Sequence, residues 1–221
     1  MVFTDEELKI RRERAARAVA MLEEKYPGAQ CSLIYKKPHE LMIAARLSAQ
    51  CTDARVNIVT KELFQKYRTV GDFANASQAD VERIIMPCGL YKTKAASIIG
   101  MCRKLMDDFG GELPDTLEKL TTLPGIGRKT ANLLLGDVFG KPAYVCDTHC
   151  IRICGRLGLT TSKDPVKTES ELREILAPEK SSDFCHRLVL FGREVCKAQK
   201  PRCSECILAE ICAYNNTKKS V

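Results

Sequence analysis

Apolar residues recur every three or four positions along almost the whole chain, and no stretch alternates long enough to make a strand. That feature restricts the chain to an all-α fold. Thr4 and Glu7 read as a capping box, after which Leu8, Ala15, Val19 and Leu22 mark one face until Pro27-Gly28 ends the helix. Ser77 and Asp80 repeat the cap pattern before VERII. In KAASIIGMCRKLM, Ala95, Ile98, Ile99, Cys102, Leu105 and Met106 keep helical spacing, and Gly110-Gly111 stops them. With 221 residues the chain can bury one or two cores. The clearest breaks, YPGAQ and FGKPA, isolate a middle helical block from an N-terminal helix and a C-terminal part.

Thirty-five Lys and Arg against 28 Asp and Glu leave a net charge of +7, which suits a polyanionic partner, nucleic acid being the commonest. No stretch approaches the roughly 20 apolar residues of a membrane span. The opening MVFTDEELKIRRER mixes acids and bases before any apolar run, unlike a secretory signal, so an intracellular location is expected. Twelve cysteines are many, and four of them crowd between residues 196 and 212. A reducing compartment with one metal site explains that distribution better than a disulfide scaffold.

The stretch LPGIGRKTANLLL, residues 123–135, places two glycines before two cations and then an apolar run. A nucleotide-binding P-loop needs glycine immediately before its lysine and another five residues earlier, after a strand. Here Arg128 precedes Lys129, Leu123 takes the earlier place, and DTLEKLTTL before it reads as helix. Two readings remain. The glycines could only shape a connection between helices, or they could form a helix-hairpin-helix clamp on a DNA phosphate. In a clamp, Gly125 and Gly127 permit a tight turn, and free amides at the next helix start point at the anion. Ala131, Leu134, Leu135 and Val138 form the buried face of that helix. Lys129 then serves either as a phosphate ligand or as an amine nucleophile toward a sugar carbon. Burial, Arg128 and the positive helix end are the surroundings that favour the neutral amine a nucleophile needs.

Asp147, in YVCDTHCIRIC, reads as the cap of the next helix, and it also leaves a carboxylate able to stabilise positive charge on a sugar ring. Cys146, Cys150 and Cys154 sit at helical spacing and read as small core side chains. Cys196, Cys203, Cys206 and Cys212 follow C-x6-C-x2-C-x5-C, a four-thiolate set for zinc or an iron–sulfur cluster. Lys197, Lys200 and Arg202 make the loop between the first two a basic finger suited to phosphates.

Together, LPGIGRKTA, VCDTH and the cysteine spacing resemble bacterial endonuclease III, of the helix-hairpin-helix DNA glycosylase superfamily. LSAQCTDARVN and CGLYKTKAASI extend that resemblance over nearly the whole chain. The resemblance implies an all-helical glycosylase fold. A six-helix barrel would span residues 31–141, with the helix-hairpin-helix near 115–138. An iron–sulfur domain of residues 1–30 plus 142–221 would hold a [4Fe–4S] cluster. Bent double-stranded DNA, with its damaged base flipped out, would lie in a cleft between the two parts. Lys129 would attack C1′ of an oxidised pyrimidine nucleotide, release the base and permit β-elimination, and Asp147 would assist the glycosylic step. Cys196, Cys203, Cys206 and Cys212 would hold the cluster.

For DNA contacts, the resemblance implies Gln50 in the gap left by the flipped base and Leu90 as a wedge in the stack. Nothing in their spacing marks either residue. Leu123, Gly125, Gly127, Arg128 and Lys200 complete the expected DNA contacts, with Thr130 and His149 as pocket-side neighbours. Cys51 and Cys146 depart mildly from the family pattern. The function expected is therefore excision of oxidised pyrimidines with nicking of the abasic site, by a bacterial, nucleoid-associated cytoplasmic monomer. Two alternatives stand beside it. A monofunctional adenine or mismatch glycosylase would carry Ser or Tyr in place of Lys129. A non-catalytic iron–sulfur DNA-binding protein would need neither Lys129 nor Asp147.

Overall fold

A computed structural model describes residues 3–219. The chain divides into two compact units, Cys31–Gly140 and Met1–Gln30 with Lys141–Val221, and no strand occurs among the described residues. No helix is long and apolar enough to cross a membrane among those residues.

The unit Cys31–Gly140 is organised around α2 (Pro38–Leu47). Leu41, Met42, Ile43, Ala44 and Leu47 are fully buried and even His39 and Glu40 are covered, so this helix occupies the interior. Pro38 supplies the φ of a first helical turn, and Glu40 Oε2 accepts the amide of Lys36 at 2.7 Å. Around it lie α3 (Asp53–Lys66), the one-turn α4 (Val70–Ala74), α5 (Gln78–Ile85), α6 (Tyr91–Phe109), the one-turn α7 (Leu117–Thr121) and α8 (Arg128–Asp137). Helices α3, α6 and α8 all pack on α2. The unit ends α6 as its glycines require: Gly110 and Gly111 take φ of +61° and +85°.

Three local expectations for this unit are corrected. The Ser77 hydroxyl does not cap α5: the Asp80 amide bonds the Ser77 carbonyl at 3.2 Å instead, and the Asp80 carboxylate turns to Lys66, Arg83 and the Tyr67 hydroxyl, tying α3 to α5. Met106, read as core, is 45% exposed. Val138 is only half-buried, since it lies at the C-cap of α8, while the polar Asn132 is buried in its place.

The second unit contains α1 (Asp5–Lys25), α9 (Thr148–Leu157), α10 (Pro165–Ile175), α11 (Ser181–Glu194) and α12 (Ala213–Lys219). The capping box forms: Thr4 Oγ1 accepts the Glu7 amide, and Glu7 Oε2 accepts the Thr4 amide at 2.8 Å. Helix α1 packs on α10 and α11, and α9 packs on α11 and α12, burying Leu22, Ile153, Leu172, Phe184 and Leu188. Cationic side chains on α1 satisfy the carbonyl end of α9. Arg11 donates to the Gly158 carbonyl at 2.9 Å and Arg14 to that of Leu157 at 3.1 Å. Helix α11 passes close to the start of α9 at Gly192, where a Cβ would fall 2.4 Å from His149 Cδ2. Cys146, Cys150 and Cys154 are core side chains as expected, and Cys185 is buried as well.

Candidate active site and iron–sulfur centre

The two glycines of the 123–135 stretch have different roles. Gly125 adopts φ +79°, and a Cβ there would lie 2.7 Å from Arg46 Nε and 3.1 Å from Ser97 Cβ. Both the turn and its packing on α2 and α6 therefore require glycine. Gly127 is extended, with φ −94°, and a Cβ there would meet nothing within 4 Å. Its bare backbone faces open space at the N-cap of α8, offering no side chain to cover the first amides of that helix. Those amides and the helix dipole suit an anion from outside the chain.

Leu123, expected at the DNA interface, is 2% exposed, and its side chain anchors the hairpin with Leu120 and Ile126. Its apolar side chain fits that anchoring role, and its carbonyl is already bonded to the Ile126 amide. Arg128 and Lys129 are exposed and Thr130 is half-buried. Lys129 thus stands at the second position of α8, in solvent rather than buried as expected.

Asp147 is the N-cap of α9. Its Oδ1 accepts the amides of His149 at 2.8 Å and Cys150 at 2.9 Å. Its Oδ2 lies 3.5 Å from His149 Nδ1, and the side chain is only 15% exposed. One oxygen is thus committed to the helix, and the other belongs to a carboxylate held in a fixed orientation.

Among the described residues, the non-glycine residues with positive φ are Gln50 at +54°, Leu90 at +49° and Lys200 at +48°. Each such conformation costs on the order of 1 kcal/mol or more, and such strain collects at functional sites. All three are exposed, and all three are residues the family resemblance assigned to DNA. Gln50 lies in the loop between α2 and α3. Leu90, 55% exposed, is the N-cap of α6.

Sequence reasoning missed the residue that organises these two loops. Lys94 is fully buried in α6, and its ammonium donates to the carbonyls of Leu47 at 2.8 Å and Cys88 at 2.9 Å. Burial pushes its pKa below the ordinary lysine value. Its only sequence signal was a lysine on the apolar face of α6, four residues after Leu90.

Cys196, Cys203, Cys206 and Cys212 line one small cavity with Val195, Pro201 and Ala209. Four thiols spread around a common cavity fit a polynuclear cluster better than zinc. Two further arginines brace this region. Arg156 donates to Cys196 Sγ at 3.4 Å and to the carbonyls of Lys197 and Ala198 at 2.7 and 2.8 Å. Arg152, one turn earlier, bonds the Cys196 carbonyl at 3.0 Å. Their spacing on α9 was legible, but their target was not. Arg202, expected in the basic finger, is held instead by the Glu194 carbonyl and by Glu205 at 3.0 Å. Lys197 and Lys200 remain exposed.

Residues 43–178 match the model of the HhH-GPD superfamily of base excision DNA repair proteins, and residues 196–212 match the iron–sulfur binding domain of endonuclease III. The chain is 43% identical to endonuclease III of Synechocystis over 91% of its length and 93% of the relative's. It is 45% identical to that of Bacillus subtilis, covering 85% of this chain and 86% of the relative. A solved structure described as a trapped endonuclease III–DNA covalent intermediate superposes with a TM-score of 0.88 at 40% identity, covering 94% of this chain and 98% of that one. A thermostable thymine-DNA glycosylase at 21% identity and a TM-score of 0.83, covering 93% of this chain and 98% of that one, shares the fold. Fold and site together define a base excision repair protein of the helix-hairpin-helix glycosylase class. Within that class, the chain belongs to the endonuclease III family. It is a DNA glycosylase and abasic-site lyase with a [4Fe–4S] cluster.

Proposed function

We propose that this chain excises oxidised pyrimidines from double-stranded DNA and nicks the resulting abasic strand through a Schiff base on Lys129. The observation that carries this reading is the position of Lys129, an exposed amine at the second position of a helix whose glycine N-cap brings no capping side chain. With a backbone phosphate on the Gly125–Gly127 turn, the adjoining sugar comes within reach of that amine. The Lys129 nitrogen forms a bond to C1′ as the glycosylic bond breaks and the base departs with its electron pair. The sugar ring opens to a protonated Schiff base, which acidifies the C2′ proton. Loss of that proton expels the 3′ phosphate, and water releases the lysine.

Asp147 stabilises positive charge on the sugar through Oδ2, while Oδ1 stays bonded to the α9 amides. Gln50 fills the gap left by the flipped nucleotide, and Leu90 wedges the stack. Gly125, Gly127, Arg128 and Lys200 hold phosphates, and Thr130 and His149 border the base pocket. Cys196, Cys203, Cys206 and Cys212 are the ligands of the cluster. Bound there, the cluster supplies four metal–thiolate bonds that fix the loop bearing Lys197 and Lys200. The protein acts as a monomer in the bacterial cytoplasm, at the nucleoid.

Borohydride reduction during incubation with thymine-glycol duplex tests this reading. A covalent protein–DNA adduct is expected, absent in Lys129→Ala while that variant still binds DNA. An undiminished adduct in Lys129→Ala would assign the nucleophile elsewhere.

A further inference from the structure

Arg46 lies against the glycine turn. It projects from α2, and a Cβ at Gly125 would fall 2.7 Å from its Nε and 3.0 Å from its Cδ, so the backbone of the turn rests on this side chain. The guanidinium is poorly satisfied there. Its Nη2 donates a long hydrogen bond, 3.3 Å, to the neutral Ser97 Oγ, whose own proton goes to the Thr93 carbonyl at 2.9 Å. Its Nε is buried without a partner, and among the described residues no carboxylate pairs with Arg46. The nearby cation Lys94 is bonded by carbonyls, so it brings no countercharge either. A half-buried cation in this state carries a desolvation cost that an opposite charge would offset. The protein supplies no such charge, whereas a phosphate on the turn does.

We propose that Arg46 is a positioning residue of the phosphate grip: it props the Gly125 turn and lends positive charge to the phosphate that the turn holds. This inference rests on the phosphate-binding reading of Gly125–Gly127 and adds to it a residue from a different helix. Arg46 acts through the turn, by packing and by field, so its effect lies in DNA affinity and not in the bond-making of Lys129. The two contributions are separable by substitution. Methionine fills the space beneath Gly125 without a charge. Lysine keeps the charge and loses the planar group that reaches Ser97. A packing role alone predicts that methionine suffices; a charge role predicts that lysine does. Charge also leaves a signature that packing does not, because each phosphate neutralised by the protein releases counterions and steepens the salt dependence of binding.

The test titrates cluster-loaded full-length protein with a duplex bearing a tetrahydrofuran abasic-site analogue at several salt concentrations. Arg46→Met should melt close to the parent, bind about fivefold more weakly at low salt, and show a shallower log–log salt slope, by up to about one counterion. Arg46→Lys should recover most of the affinity and the parental slope. A parental slope in Arg46→Met, whatever its affinity, would leave Arg46 a packing residue and overturn the proposal. Equal losses in Arg46→Lys and Arg46→Met would overturn it too, and that comparison stands even if the methionine variant is less stable. Combining Arg46→Met with Gly127→Ala tests whether both act on one phosphate: the joint loss should be smaller than the product of the single losses. Independent losses would place the Arg46 effect elsewhere. Failure of the underlying reading shows separately, as parental affinity in Gly127→Ala alone or as the absence of a borohydride adduct in the parent.

Discussion

The buried ammonium of Lys94 donates to the Leu47 carbonyl at 2.8 Å, joining α6 to the end of α2. A second bond reaches the Cys88 carbonyl at 2.9 Å. One side chain therefore holds the backbone from which the loops bearing Gln50 and Leu90 both spring.

Lys94→Met keeps the stem of the side chain and removes the donor, leaving two buried carbonyls without it. Unfolding free energy should fall by roughly 2–4 kcal/mol, about one to two for each carbonyl. Chemical denaturation measures this, and a loss under 0.5 kcal/mol would show that water replaces the ammonium.

The two turn glycines should separate folding from binding. Gly125→Ala forces a Cβ into φ +79° and against Arg46, so stability should drop by roughly 1–3 kcal/mol. Gly127→Ala meets no neighbour and an ordinary φ, so its melting temperature should stay close to that of the parent while DNA affinity falls. Equal affinity in Gly127→Ala and the parent would show that no phosphate approaches that backbone.

Asp147→Asn retains an oxygen to accept the His149 and Cys150 amides, whereas Asp147→Ala loses it. The alanine variant should lose about 1 kcal/mol of stability and the asparagine variant much less. Base release, read by single-turnover kinetics, should fall at least tenfold in both. Full activity in Asp147→Asn would leave this residue a helix cap only.

Acid should loosen the contact between α3 and α5. Hydrogen bonds from Lys66, then Tyr67 and Arg83, hold the Asp80 carboxyl well below the usual carboxylate range. A depressed folded-state pKa means that Asp80 contributes stability above the ordinary carboxylate pKa, near 4, and that the contribution is lost as pH falls further. Thermal melts at descending pH should show Asp80→Asn less stable than the parent at pH 7 and converging with it below about pH 3. A gap independent of pH would assign the loss to packing.

The cysteine spacing, the glycine turn and the caps were legible because each depends on residues close in sequence. Thr4 with Glu7, Gly110-Gly111 and the Asp147 cap all formed as local chemistry dictates. The capping box at Ser77 did not form: the Asp80 amide bonds the Ser77 carbonyl, and the Asp80 carboxylate goes to Tyr67 and Lys66, partners contributed by a neighbouring helix. The burial of the Leu123 side chain was not legible in the glycine-turn motif, because a motif does not say which side chains point inward.

By itself, then, the sequence determined the helical class, the four-thiol centre and the place of Lys129 after a glycine turn, since period, spacing and turn chemistry are written along the chain. The tertiary structure alone decided that Gly125 is required by Arg46 and that Lys94 binds two loops. Those are meetings of residues far apart in the chain, and packing around α2 sets which of them touch.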